Sequence, residues 1–412
     1  MKLIYLTNSY PFDSALDWKT NELRVFKDYF DEILVVPFFA KQEKHLAELI
    51  DGISYAKPLL NKSPLDSSPF EKIGRILSSK FLLRFIVEGW SNKVFLSKSK
   101  LQYWVLESYI ISKLASSNKL KEIESQYRNK PVIFYSYWGR GTILKLAFNT
   151  KRVGHKYVSR FHGYDLYSER QKSKYLPYQK VLIRNLDLLL PCSEDGKNYL
   201  RNRSRNMAKD IFTARLGTYS KGLTPKTKEP IFRIVSCSSI IPLKRVDIIA
   251  KSLVYADFPI EWVHIGDGSQ FDELKEETEQ LTEYNKYVKI NLLGRKHPSE
   301  VIDVYLNNHF DLFLNMSEYE GVPVSIMEAL SAGIPILAPK INGIPEIVDE
   351  KVGLLISPGE ITPKKVWEFI KFYNELDEKV KMQMSIDAYQ RYSERCNAKT
   401  NAEILVARLL GG

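Results

Sequence analysis

Two carboxylates, Glu320 and Glu328, stand on either side of seven intervening residues in the stretch Asp311–Val348. Phe310–Asn315 is an apolar run of strand length and Met316–Pro323 is turn-like. Val324–Ala332 has helical spacing that stops at Gly333, and Ile334–Ala338 is a second apolar run. In a strand–loop–helix–strand unit the loop leaves the carboxyl end of a strand and opens a helix. The backbone through Gly321, Val322, Pro323, Val324 and Ser325 then presents free N–H groups backed by the positive end of the helix dipole. A phosphate is the natural occupant. Gly321 permits close backbone approach, and Pro323 suits a first helical turn. One acid can then reach the hydroxyls of a sugar beside the phosphates and the other those of a ribose. Spacing alone leaves equally open that Glu320 is a solvated loop acid and Glu328 a helix-face charge.

Other residues could complete such chemistry. Lys244 follows the strand-like run Phe232–Cys237, where a loop cation can neutralise a diphosphate. Arg245 is its neighbour, and Arg295 follows the run Val288–Leu293. Tyr157–Phe161 ends in His162-Gly-Tyr-Asp165, which puts an imidazole at the end of a strand, where ligands bind in open sheets. Asp165 would fix the histidine or its loop. After the first strand, Leu3–Thr7, Asn21 and Glu22 open a helix as polar candidates for the cleft, with helix capping as the competing role. Gly139 and Gly141 follow the strand Pro131–Tyr135. The third glycine and acidic partner of a dinucleotide site are missing, so the pair reads as a tight turn.

Glu320–Glu328, followed by Ala-Leu-Ser-Ala-Gly-Ile-Pro-Ile and Asn-Gly-Ile-Pro-Glu-Ile-Val, resembles the E-x7-E signature of the family-four retaining glycosyltransferases of bacterial polysaccharide synthesis. The resemblance implies an α/β, GT-B fold: two Rossmann-like domains facing across a cleft. It implies a UDP or GDP sugar as donor, no cofactor, and a glycan or lipid-linked glycan as acceptor. Under it Glu320 contacts the donor sugar, Glu328 the ribose, Lys244 the diphosphate, and His162 the reacting sugar. Most members carry an arginine where this chain has Ser239, which leaves Arg245 or Arg295 to share the phosphate. No Asp-x-Asp motif is present, so the expectation is a metal-independent enzyme. The resemblance is strong over Leu216–Val348, moderate over Tyr157–Gly217 and weak over Lys41–Asn129. Two alternatives stay open: a nucleotide-sugar epimerase or hydrolase of the same fold, and a non-catalytic partner subunit. Intact Glu320, Glu328, Lys244 and His162 argue against the second.

A chain of 412 residues, 44% apolar and 26% charged, has the length and apolar content for two cores. The expected division is an N-terminal domain at 1–216, a linker at 217–230, a donor domain at 231–385, and terminal helices at 386–412 returning toward the first domain. Pro363–Ala388 reads as helical. A strand is expected at Thr213–Leu216. Cys192, Cys237 and Cys396 are too few and too widely spaced for a disulfide framework, and no apolar run reaches the length of a membrane span. The expected location is therefore the cytoplasm. A formal charge of +11 implies an anionic partner. From Lys72 to Lys100 basic residues alternate with Phe81, Phe85, Trp90 and Phe95. Such a mixture suits the anionic inner face of a plasma membrane, and equally a core helix with a wet face. No nucleic-acid-binding motif is present, so none is expected as a partner.

Overall fold

The computed structural model describes residues 1–12, 19–40, 47–149, 152–205, 207, 209–225 and 231–411. The chain divides into two units, Met1–Ala214 with Ala402–Gly412, and Arg215–Asn401. Residues 226–230 of the expected linker lie outside the described residues.

The first unit is built on a parallel sheet of β1 (Lys2–Thr7), β2 (Glu32–Pro37), β3 (Ser54–Tyr55), β4 (Val132–Ser136), β5 (His155–Phe161), β6 (Leu188–Pro191) and β7 (Asp210–Ile211). Its order is β3-β2-β1-β4-β5-β6-β7. The second unit holds β8 (Phe232–Cys237), β9 (Ile260–Ile265), β10 (Val288–Leu292), β11 (Leu312–Leu314), β12 (Ile336–Pro339) and β13 (Gly353–Ile356), in the order β10-β9-β8-β11-β12-β13. The central strands are nearly continuous apolar runs, as strands covered on both faces must be. Ile4, Val132, Phe134 and Leu189 are buried in the first core, and Ile234, Trp262, Leu312 and Leu337 in the second. Each order reverses once, between β1 and β4 and between β8 and β11. Loops leaving neighbouring strands in opposite directions open a crevice at such a point.

Three elements differ from expectation. The strand expected at Thr213–Leu216 lies earlier, at Asp210–Ile211, paired with Leu188 and Leu189. The Arg160 guanidinium takes the carbonyl of Ala214, so that group is not available to a regular ladder. The helix read over Pro363–Ala388 is two helices, Pro363–Asn374 and Glu378–Arg391. Asp377 starts the second by accepting the Lys379 amide at 2.8 Å. The basic aromatic stretch is neither one core helix nor one surface helix. It folds as Pro69–Leu77, Leu82–Ser91, a short turn at Val94–Leu96, and the start of Lys98–Ala115. Ile76, Phe81, Phe85 and Val94 point into the core, while other large apolar side chains of the same segments remain outside.

Candidate active site

In the second unit, the loop after β8 carries Lys244 and the loop after β11 carries Glu320, so the reversal between those strands brings them together. Lys244 Nζ lies 2.5 Å from Glu320 Oε1. The same oxygen accepts the Ser317 hydroxyl at 2.7 Å and the Asn315 amide at 3.5 Å. Glu320 is therefore a held carboxylate and not a free loop acid. Asn315 and Ser317 were not singled out from sequence; their signal was two polar residues where a buried strand gives way to its loop.

Pro323 occupies the cap position of the helix Val324–Ser331, and its ring provides no side-chain cap. The first amides of a helix have no intrahelical acceptor, so those of Val324 and Ser325 are available to an anion. Gly321 holds the loop's approach to Asn342-Gly343, its carbonyl accepting the Gly343 amide at 3.0 Å. A β-carbon on Gly343 would stand 2.3 Å from that carbonyl oxygen, so only glycine allows the contact. Beside it Asn342, held at φ 43°, has a buried side-chain oxygen with no partner, another polar group the sequence reading passed over.

Glu328 sits on the inner face of this helix. Burial pushes its carboxyl up to about 8, so it is protonated at neutral pH. A hydroxyl pair donating to it would favour the carboxylate. Arg245 is engaged by the loop after β11, Nε donating to the Met316 carbonyl at 2.8 Å. It shapes the loop around Glu320, while Arg295 is exposed beyond β10 and Ser239 is exposed after β8.

The first unit gathers a second group of residues at the carboxyl ends of β4 and β5. The His162 ring packs against those of Tyr137 and Trp138, with centroids 4.9 and 4.2 Å away. Both ring nitrogens are buried and lack a hydrogen-bond partner. Burial, then the nearby Arg160 and Lys19 cations, hold the imidazole well below its usual range, so it is neutral. Asp165 ties the two loops together, accepting the Gly139 and His162 amides at 2.6 Å each. Burial nevertheless raises its carboxyl to about 7, against the pull of those amides.

Asn21 lies in the first turn of the helix Lys19–Phe26, but Glu22 turns inward. Its carboxylate pairs with Arg160 and accepts the hydroxyls of Tyr5 at 3.0 Å and Tyr135 at 2.9 Å. The cleft or capping role expected of Glu22 gives way to a buried ion pair, because the carboxylate's acceptor sites are taken up inside the unit. Arg160 itself was legible as a cation inside an otherwise apolar strand, a position that nearly always signals a buried partner.

Residues 221–391 match the family described as glycosyl transferases group 1. That match covers most of the second unit. The amylovoran biosynthesis glycosyltransferase AmsK of Erwinia amylovora is 26% identical over 239 residues, 55% of this chain and 57% of that protein. The chain spans about half the length of the curated relatives it matches. Over its whole length, the chain superposes on the whole of HepE of Anabaena, crystallised with UDP, at a TM-score of 0.65 and 15% identity. The lipopolysaccharide outer core galactosyltransferase WaaB, in its apo form, gives 0.65 at 16% identity, covering 100% of this chain and 99% of WaaB. The fold of the chain is GT-B, two parallel-sheet Rossmann-like domains, as its sequence implied.

Proposed function

We propose that the chain is a retaining, metal-independent glycosyltransferase. It moves a sugar from a UDP or GDP donor held by the second unit to a glycan or lipid-linked glycan acceptor in cell-surface polysaccharide synthesis. The observation that carries this reading is the group Lys244, Glu320, Asn315 and Ser317, assembled beside the open N-terminus of Val324–Ser331. AmsK, named for polysaccharide biosynthesis, and HepE, crystallised with UDP, support it.

The bond from the anomeric carbon to the diphosphate oxygen breaks as the acceptor oxygen bonds to that carbon on the same face. The acceptor's proton passes to the departing diphosphate. Lys244 and the amides of Val324 and Ser325 stabilise the leaving charge, each such donor contributing about 2.7–4 kcal/mol to the barrier reduction. Glu320 orients the donor sugar, Glu328 takes the ribose hydroxyls, and neutral His162 donates or accepts a hydrogen bond at the sugar. Arg295 is the remaining cation for the phosphate that Ser239 does not serve. Asn21 belongs to the acceptor side, with Asp165 holding the loops there.

The reading extends to location: a cytoplasmic protein resting peripherally on an anionic membrane through 72–100. Among the described residues no helix is long and apolar enough to cross a membrane.

Thermal shift with UDP-, GDP-, ADP- and dTDP-sugars, followed by transfer assays with and without EDTA, tests the reading. One nucleotide should raise Tm, and transfer should survive chelation. Activity lost to EDTA and restored by manganese overturns the metal-independent mechanism. Free sugar released with no acceptor requirement would point to the hydrolase alternative.

A further inference from the structure

Away from the Glu320 loop, the first unit holds a polar and aromatic cluster that the steps above do not use. Arg140 follows β4 on the same loop as Trp138, and its guanidinium lies over two tyrosine rings, 5.4 Å from the Tyr164 centroid and 6.0 Å from that of Tyr103. Glu107, buried in the helix Lys98–Ala115, holds one edge of the guanidinium through Oε1, 3.0 Å from Nε, with Nη2 on the same oxygen. The other carboxylate oxygen, Oε2, is buried with no partner. The two tyrosine hydroxyls are 3.4 Å apart, and that of Tyr103 donates to Gln171 Oε1 at 3.2 Å. Gln171 in turn donates to the Tyr164 carbonyl at 2.6 Å, so the cluster is braced from below. Its outer side is open: Tyr164 is 55% exposed.

This arrangement is costly for a surface that does nothing. A guanidinium packed against two rings and fixed along one edge by a carboxylate has lost its freedom before any ligand arrives, and it holds those rings in one orientation. Tyrosine faces offer apolar area to the C–H face of a sugar ring while their hydroxyls bond its oxygens. Glu107 cancels the charge of Arg140, so the cluster offers fixed donors without net attraction for an anion. Neighbouring loops at the carboxyl ends of β4 and β5, joined by Asp165, are also where parallel sheets bind ligands.

We propose that Tyr103, Arg140 and Tyr164 form a binding subsite for one neutral sugar residue, bound by ring stacking on the exposed Tyr164 and by the tyrosine hydroxyls that Arg140 and Gln171 hold in place. Resting on the transferase reading above, the subsite would receive a sugar of the acceptor, and its chemistry assigns that acceptor a neutral residue. Arg140→Ala would leave Glu107 buried without its cation and would disturb folding. The informative variants are Tyr164→Ala, at an exposed ring, and Tyr103→Phe.

The test is saturation-transfer NMR on the full chain with methyl glycosides of glucose, galactose, mannose, N-acetylglucosamine and glucuronic acid, each with and without UDP. At least one neutral glycoside should show saturation that survives UDP, falls at least fivefold in Tyr164→Ala, and falls less in Tyr103→Phe. No signal from any glycoside, a signal unchanged in Tyr164→Ala, or a signal from the glucuronide alone overturns the subsite. The transferase reading fails separately, through absence of nucleotide binding or donor turnover. Loss of either proposal therefore leaves the other measurable.

Discussion

At the scale of single residues, two carboxylates in the loop and helix that follow β11 behave differently because their surroundings do. Glu320 contacts Lys244 and the Ser317 hydroxyl, whereas Glu328 is buried and its carboxyl raised to about 8. The sign for Glu328 follows from that rise. The folded state binds its proton over the interval from the ordinary carboxylate value to about 8, so its stabilising contribution is complete at acid pH and is lost as pH rises through 8. Ribose hydroxyls donating to the carboxylate would lower its pKa, so nucleotide binding at pH 7 should release a proton and tighten between pH 6 and 8. Calorimetry in two buffers of different ionisation enthalpy measures the release, and Glu328→Gln should abolish it. Lys244 and His162 are expected to separate by which constant moves. Lys244→Ala should weaken UDP binding and cut turnover 10²- to 10³-fold, since the lysine meets charge in both the ground and transition states. His162→Ala should leave UDP affinity within twofold while turnover falls, because the imidazole is assigned to the sugar and not the diphosphate. Equal loss of affinity in both variants would refute that division of roles.

At the scale of elements, the parallel strands were the most legible part of the chain. A strand covered on both faces leaves an unbroken apolar run, and Phe232–Cys237 was read with the bounds it has. The helix Val324–Ser331 was legible too, from Pro323 ahead of it and Gly333 behind. Side-chain destinations were less so. Glu22 looked like a helix-start acid because its partner, Arg160, is distant in sequence and meets it only when the sheet forms. The three-way clamp on Glu320 was hidden for the same reason: Lys244 and Glu320 become neighbours only through the reversal between β8 and β11. Another pairing of this kind lies between β8 and β9, where His264 Nδ1 is 2.8 Å from Ser236 Oγ, which also accepts from Trp262 at 2.9 Å. Burial drives His264 down to about 4. The unfolded chain therefore binds more protons between about pH 6.5 and 4, and the folded state loses up to about 3 kcal/mol as pH falls through that window. The Tm of the wild type should drop between pH 7 and 5 by more than that of His264→Gln, each followed by circular dichroism. Parallel pH curves would show that the imidazole is not the group responsible.

At the scale of the whole molecule, an excess of eleven positive charges is joined on the first unit by apolar side chains that folding leaves outside. Phe70 is 89% exposed, Leu83 79%, Trp90 71% and Leu96 84%, with Ile73, Leu77 and Val87 also outside. Arg75, Lys80, Lys93 and Lys98 are exposed among them. The acid within this stretch, Glu88, is turned inward, accepting the Tyr175 hydroxyl and the Tyr178 amide at 3.1 Å each. The core of a protein-binding surface is depleted of lysine, whereas apolar side chains interspersed with cations match an anionic bilayer interface. Vesicles of phosphatidylcholine with about one-third phosphatidylserine should sediment the protein at low salt, each near-surface cation contributing about 1 kcal/mol. Charge reversal at Arg75 and Lys80 should weaken binding mainly at low salt, because exposed charges are screened within a Debye length. Arg84 is not a useful position, since it donates to the Phe148 carbonyl at 2.7 Å and holds the helix in place. Trp90→Ala with Leu83→Ala should weaken binding at every salt concentration, because insertion of apolar area does not depend on ions. Binding unaffected by both pairs would exclude this face, and binding equally strong to pure phosphatidylcholine would exclude the electrostatic half of the attachment.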